Sequence, residues 1–106
     1  MNRYCYEITE YKLQQGADPD AYLAAVEKLN EMLPGIQGFV MRDVFYREET
    51  QHWVEVIAWE DEVSARRAEE ILMAHPVCKE GFALIDMDTV TLAHYELRSS
   101  VNAAAS

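Results

Sequence analysis

One stretch of the chain, residues 51–75, most strongly limits the folds open to it. It reads QHWVEVIAWE and then DEVSARRAEEILMAH. The first part alternates with the period of a β-strand and has Trp53 and Trp59 on the same face. The second part begins at Asp61, a residue type that caps helices, and spaces its apolar side chains helically as far as His75. A strand that continues directly into an amphipathic helix is expected here.

Three further β-strands are expected in the rest of the chain. They fall where aromatic and β-branched side chains are dense, in residues 4–13, 36–47 and 89–97. Only the polar segment 48–51 separates the second strand from the third, which covers residues 52–59. A connection this short joins antiparallel neighbours, so the second and third strands should form a hairpin.

A second long helix is expected between the first two strands. Asp18 can cap its free N–H groups, and Pro19 suits the first helical position because its missing N–H costs nothing there. An amphipathic pattern follows and ends at Pro34. The helix of the opening stretch should stop before Pro76, and residues 77–82 predict one more helical turn.

The order strand, helix, strand, strand, helix, strand predicts an α+β fold. Right-handed crossovers applied to that order give the ferredoxin-like βαββαβ arrangement. It has a four-stranded antiparallel sheet with two helices on one face, and strands one and three lie in the centre. Residues 1–98 are expected to form this single domain and residues 99–106 a flexible C-terminal tail.

The strand pattern also predicts that both faces of the sheet are apolar. The two expected sets are Phe39, Met41, Phe45, Trp53, Ile57 and Trp59 on one face and Val40, Val44, Tyr46, Val54, Val56 and Ala58 on the other. Two helices cover one face only, and a large exposed apolar patch is rare on a monomer. A second copy related by a two-fold axis is the simplest cover, so a homodimer through the open sheet face is expected.

Charge and composition exclude several classes of partner. The 106 residues carry a formal charge of −10, from 19 acidic residues against 9 Lys plus Arg. Phosphate backbones and anionic membranes would repel such a surface, so neither nucleic acid nor a membrane is expected as a partner. No apolar run approaches the roughly 18 residues that span a bilayer, and a cytoplasmic location is expected. Cys5 and Cys78 lack metal-ligand or redox spacing, so we expect two small hydrophobes and no metal.

Four segments of the sequence resemble a known superfamily. They are YEITEYKLQQG at the start, LPGIQGFVMRDVF on the second strand, HWVEVIAWED on the third and VTLAHYEL on the fourth. Together they are similar to the dimeric α/β-barrel superfamily, and specifically to its antibiotic-biosynthesis-monooxygenase-like branch. The motifs are structural, and they recur in members with different chemistry.

The resemblance implies a small set of reactions. Members oxygenate polycyclic phenols without a cofactor, degrade haem, or isomerise and dehydrate small lactones. In the cofactor-independent oxygenases, a base deprotonates an electron-rich substrate, whose anion then reacts with dioxygen. The protein would supply the base, an apolar pocket between sheet and helices, and polar groups that hold the anion.

Trp59 and His75 are the first candidates for such a pocket. Trp59 matches the tryptophan at the end of strand three in the family and could stack on a planar substrate, or it could simply pack in the core. His75 falls in line with the apolar face of its helix, so it should point towards the sheet and could act as a base. The alternative is a hydrogen-bonded histidine at the helix end. The haem-degrading branch also uses an asparagine on strand one, but Asn2 precedes that strand.

Charged residues on the central strands are the second group of candidates. Glu7 and Glu55 lie mid-strand among apolar neighbours, where an unpaired carboxylate would have a raised pKa and could serve as a base. The alternative is structural pairing, for instance of Arg42 with a glutamate. His94 and Tyr95 point to opposite faces, so one should line the helix-side cavity and the other the dimer interface.

Two functions are consistent with these residues. The first is a cofactor-independent monooxygenase acting on an aromatic or polyketide-like molecule in a pocket bordered by Trp53, Glu55, Trp59, His75 and His94, with Arg42 and Glu7 as further contacts. The second is a homodimer that binds a small apolar ligand without catalysis. Convergence of these side chains on one enclosed space would distinguish the two.

Overall fold

The structure, a computed structural model that describes residues 4–104, has a single antiparallel sheet. Its strands are β1 (Cys5–Leu13), β2 (Phe39–Arg47), β3 (His52–Trp59) and β4 (Ile85–Glu96), in the order β2-β3-β1-β4. The ferredoxin-like order and the central position of the first and third strands are confirmed. Within the described part of the chain, residues 97–104 form neither helix nor strand. Asn2 lies outside the described residues.

Three helices accompany the sheet. They are α1 (Pro19–Met32), α2 (Glu62–Ala74) and the short α3 (Pro76–Phe82), and a turn of 3-10 helix (Leu33–Gly35) follows α1. Asp18 and Asp61 cap α1 and α2 as expected, since each Oδ1 accepts a backbone N–H, from Asp20 at 3.0 Å and from Ser64 at 2.7 Å. None of the helices in residues 4–104 has the length and hydropathy that a membrane crossing needs.

The second strand begins three residues later than the sequence suggests, at Phe39 instead of Ile36. The strand cannot include Gly38, because a φ of +86° is not an extended conformation. Residues with a Cβ rarely adopt it, which explains the glycine at this position. A Cβ there would also collide with the side chain of Ser64. Gly38 therefore allows β2 to approach the first turn of α2.

The fourth strand begins four residues earlier than expected, at Ile85 instead of Thr89. Ile85 is buried and pairs with Leu13 at the end of β1. The ladder is interrupted by a register shift between Glu10 and Lys12, where the backbone N–H of Lys12 donates to Oγ1 of Thr89 at 2.9 Å. Two aspartates in this segment, which are rare in strands, hide the extension from the sequence pattern.

The expected division of β2 between the two faces is wrong for most of the strand. Val44 lies opposite Glu55, and Tyr46 opposite Trp53, so both point to the helix side. Phe45 lies opposite Val54 on the open face. The alternation along each strand was predicted correctly. Which side chains of β2 share a face with which side chains of β3, however, depends on the hairpin register and on a bulge near the start of β2.

The core between sheet and helices consists of two hydrophobic clusters. One is formed by Tyr11, Tyr22, Val26, Trp53 and Ile85. The other is formed by Leu33, Ile57, Trp59, Ala65 and Ala68. No helix packs on the opposite face of the sheet within residues 4–104, and Phe45 and Tyr95 there are each 54% exposed. The apolar open face expected from the sequence is therefore present.

Candidate functional site

A cavity of about 460 Å³ lies between the helix side of the sheet and the three helices. Its volume falls in the usual range for sites that hold small molecules, about 300–1,000 Å³. Most of its lining is apolar, including Val26, Leu29, Ile57, Leu72, Val90 and Leu92. Residues of both core clusters contribute to the wall. The cavity can therefore accept an apolar molecule without disturbing the sheet.

Exposed apolar side chains surround the opening of the cavity. Met73 at the end of α2, Phe82 at the end of α3, and Met87 and Leu92 on β4 all line it, and all are more than 40% exposed. Methionine side chains adapt readily to different ligand shapes. The side chains at the opening can therefore adjust to a ligand, whereas residues of the β-sheet form much of the interior wall.

The polar part of the cavity is centred on Arg42. Its Nη2 donates to Oε2 of Glu55 at 2.8 Å, and its Nη1 donates to Oδ1 of Asn30 at 3.0 Å. The two side chains of the ion pair are only 5% and 22% exposed. The pairing of Arg42 with a glutamate, expected from the sequence, is confirmed. The buried Nε of Arg42 makes no hydrogen bond with any described residue, so a donor is left over beside the cavity.

Two tyrosines that the sequence did not single out for this site also line it. The hydroxyl groups of Tyr11 and Tyr22 are hydrogen-bonded, and the rings meet edge to face at 5.9 Å. Burial raises the pKa of both hydroxyls, and in Tyr11 the neighbouring Tyr22 and Glu55 raise it further. Both groups therefore stay protonated and can donate or accept a hydrogen bond but do not act as bases at neutral pH. Their separate positions on β1 and α1 gave no signal of this pairing.

Glu7 is a largely buried carboxyl group on the cavity wall. Its side chain is 16% exposed. Burial raises its pKa, the charges of Glu69 and Glu55 raise it further, and His94 acts in the opposite direction. Nε2 of His94 lies 3.7 Å from Oε1 of Glu7. A carboxyl group held this way is well suited to exchange a proton with a bound molecule.

Trp59 lines the cavity and also belongs to the core. The residue is 1% exposed, and its ring packs edge to face on Phe39 with the centroids 5.6 Å apart. Part of its surface lines the cavity. Core packing and contact with a planar ligand, the two alternatives for this residue, are therefore compatible.

Three of the expected pocket residues do not line the cavity. Trp53 is 4% exposed and packs between Tyr22 and Tyr46, with centroid distances of 5.0 and 4.6 Å. It supports the wall from behind. His94 lies beyond Glu7, where it lines a separate depression at the surface.

His75 is also absent from the cavity lining, and its side chain is engaged at a helix end instead. The helix α2 ends at Ala74, so the helical periodicity that placed His75 on the inner face does not extend to it. Its backbone is extended, and its Nδ1 accepts the backbone N–H of Val77 at 3.2 Å, which caps α3. The alternative reading, a hydrogen-bonded histidine at a helix end, describes what it does.

The two cysteines, Cys5 and Cys78, are both free thiols. Cys78 is buried on the cavity wall and Cys5 is partly buried, and burial raises the pKa of both thiols. Both are free cysteines that pack as small apolar groups. Across residues 4–104 no three side chains of the ligand types are arranged to hold a metal ion.

Comparison with known proteins identifies the fold. No family model matches the sequence, and no curated protein matches it significantly. SnoaB, a cofactor-independent oxygenase from Streptomyces nogalater, is 15% identical, with 93% of this chain and 97% of that chain covered and a TM-score of 0.74. A dimeric ferredoxin-like protein of unknown function from Jannaschia is 12% identical, with 89% and 99% covered and a TM-score of 0.69.

A third similar structure carries the name of the branch suggested by the sequence motifs. It comes from Nitrosomonas europaea, is provisionally named an antibiotic biosynthesis monooxygenase, and is 11% identical, with 91% of each chain covered and a TM-score of 0.72. At such identities the likeness establishes the fold. The chain has the ferredoxin-like α+β fold that these structures share, as its sequence pattern indicated.

Proposed function

We propose that the protein is a cofactor-independent monooxygenase that acts on an aromatic, polyketide-like small molecule. The observation that carries the proposal is the cavity itself, an apolar space with the proton-accepting Glu7 and the buried cation of Arg42 on its wall. The fold that the chain shares with SnoaB supports the same class of reaction. Trp59 offers an aromatic surface for a planar ring.

The residues on the wall can be assigned to the steps of such a reaction. The carboxylate of Glu7 takes the proton of a phenolic hydroxyl, and the positive charge of Arg42 stabilises the resulting anion. The electron-rich ring then reduces dioxygen. A C–O bond forms at the carbon opposite the hydroxyl, the C–H bond there breaks, and the second oxygen atom leaves as water. A phenol and dioxygen are thus converted to a quinone and water.

Oxygen uptake tests the proposal directly. Naphthols and anthracenols should be consumed with one dioxygen per molecule, and Glu7→Gln should lower kcat by roughly 10²–10⁴-fold because the general base is lost. Glu27→Gln is the matched control, since Glu27 is exposed on α1 and does not line the cavity. Equal rates in Glu7→Gln and the wild-type protein would contradict the assignment of the base.

A second function is favoured by the way the polar groups of the cavity are satisfied. Arg42 is paired with Glu55, and Tyr11 with Tyr22, so most of these groups already have partners. That arrangement suits a ligand-binding homodimer without catalysis. Calorimetric binding of a naphthol with no oxygen uptake would favour this alternative.

We also propose that the protein is a cytoplasmic homodimer that pairs through the open face of its sheet. Ile8 and Val56 lie opposite each other at the centre of that face, and Phe45 and Tyr95 are half-exposed at its sides. An isologous contact would cover all of them in both subunits. The dimeric Jannaschia protein of the same fold supports this arrangement.

The dimer can be tested by sedimentation. The wild-type protein should sediment at twice the 12.2 kDa chain mass, whereas Val56→Lys should sediment as a monomer because it buries an unpaired charge in the interface. Ala21→Lys on the exposed side of α1 is the control and should remain a dimer. A single 12.2 kDa species of the wild-type protein at micromolar concentration would contradict the proposal.

A further inference from the structure

Glu7 and His94 form a cross-strand pair that connects the cavity with the protein surface. They are direct partners in the β1–β4 register, and both side chains point to the helix side. Glu7 lines the cavity and is 16% exposed, whereas His94 lines the depression outside it and is 53% exposed. Their closest atoms, Oε1 and Nε2, are 3.7 Å apart. The pair therefore has one member on each side of the cavity wall.

We propose that Glu7 and His94 are a proton-transfer pair that carries the proton taken from a bound molecule out to solvent. This inference rests on the proposed function, because it concerns how the base of that reaction is regenerated. The protonated carboxyl of Glu7 gives its proton to Nε2 of His94, which leaves a carboxylate and an imidazolium. The imidazolium then releases a proton to water. A side-chain rotation or one bridging water closes the 3.7 Å between Oε1 of Glu7 and Nε2 of His94.

Several other polar groups of the cavity already have partners. Glu55 is held by Arg42, and the hydroxyls of Tyr11 and Tyr22 are bonded to each other. An isolated protonated carboxyl in an apolar space would have to wait for the ligand to leave before it lost its proton. A histidine is the side chain whose protonation changes most readily near neutral pH. His94 therefore supplies a route from Glu7 to solvent.

Acidic side chains surround the pair on both sides. Glu69 on α2 and Glu55 on β3 act on Glu7, and both raise its affinity for a proton. On the outer side, the depression around His94 is lined by the carboxylates of Glu62, Glu69 and Glu96 and by the guanidinium of Arg66. The depression therefore carries an excess of negative charge.

Proton release can be followed without any oxygenation. Mixing the protein with 4-bromo-1-naphthol, which keeps its hydroxyl proton in neutral solution, should release protons rapidly from the wild-type protein. The reaction is followed under nitrogen in a stopped-flow instrument, with a pH indicator in weak buffer. In His94→Gln the release should be roughly 100-fold slower, and added imidazole should restore it. His52→Gln, an exposed histidine on β3, is the matched control. Equal release rates in His94→Gln and the wild-type protein would overturn the proposal.

A second measurement needs no bound naphthol, so it tests the pair even if this naphthol binds weakly. In a ¹³C titration of the Glu7 side-chain carboxyl, the pKa of Glu7 should be higher in His94→Gln than in the wild-type protein, because His94 now lowers it. An unchanged pKa would mean that the pair is not coupled and would overturn the proposal. Coupled titration and fast proton release without oxygen uptake would instead reject only the monooxygenase function.

Discussion

Replacing Arg42 with methionine is expected to lower the free energy of unfolding by about 3–5 kcal/mol, because it leaves the carboxylate of Glu55 without its partner in a site where both side chains are largely buried. The hydrogen bond to Asn30 is lost as well. Urea denaturation followed by circular dichroism at pH 7 measures the loss. A change below about 1 kcal/mol would mean that solvent screens the pair as it does a surface ion pair.

The double replacement Arg42→Met with Glu55→Leu separates the ion pair from the packing. Removing both charges replaces the pair by apolar side chains of similar volume, which is often neutral or stabilising. The double variant should therefore be more stable than Arg42→Met alone. Glu55→Leu alone completes the comparison. If the loss of stability in the double variant equals the sum of the losses in the two single variants, the coupling energy is zero and the ion pair does not stabilise the polar part of the cavity.

Trp59→Ala should cost about 3–5 kcal/mol of unfolding free energy, the usual range for a large aromatic residue in a core. Trp59 is 1% exposed and packs on Phe39. The new space would also merge with the cavity, which Trp59 lines. Thermal and urea unfolding measure the first effect, and binding of a naphthol, weakened by the loss of the aromatic surface, measures the second.

Two comparisons on the same strand make the result specific. Trp59→Phe keeps a ring against Phe39 and should lose less stability than Trp59→Ala. His52→Ala, at the exposed first position of β3, should change stability by less than about 0.5 kcal/mol. A loss for Trp59→Ala as small as that for His52→Ala would remove this residue from the core.

Most of the fold could be predicted because its signals are local. The bounds of β3 match the alternation that ends in Trp59, and Asp18 and Asp61 cap their helices as residues of their type do. The faces of Val44 and Tyr46 could not be predicted in the same way. They depend on hairpin register and on a bulge near the start of β2, which a single strand does not encode.

The sequence predicted the candidate site only where a charged side chain had to be paired because it is buried. A mid-strand Arg42 had to find a carboxylate, and it did. The bond between Tyr11 and Tyr22 joins a strand to a helix and requires the three-dimensional packing to be known. His75 shows the opposite limit, since helical periodicity does not extend past Ala74 and therefore cannot place the side chain of the next residue.

A crystal structure of the protein soaked with 4-bromo-1-naphthol tests the central claim, that the cavity between sheet and helices binds aromatic molecules. The anomalous signal of bromine locates the ligand without bias. The account predicts a bromine peak inside the cavity, with the naphthol oxygen within hydrogen-bond distance of Glu7 or Arg42. An empty cavity, or a peak only on the open face of the sheet, would contradict it.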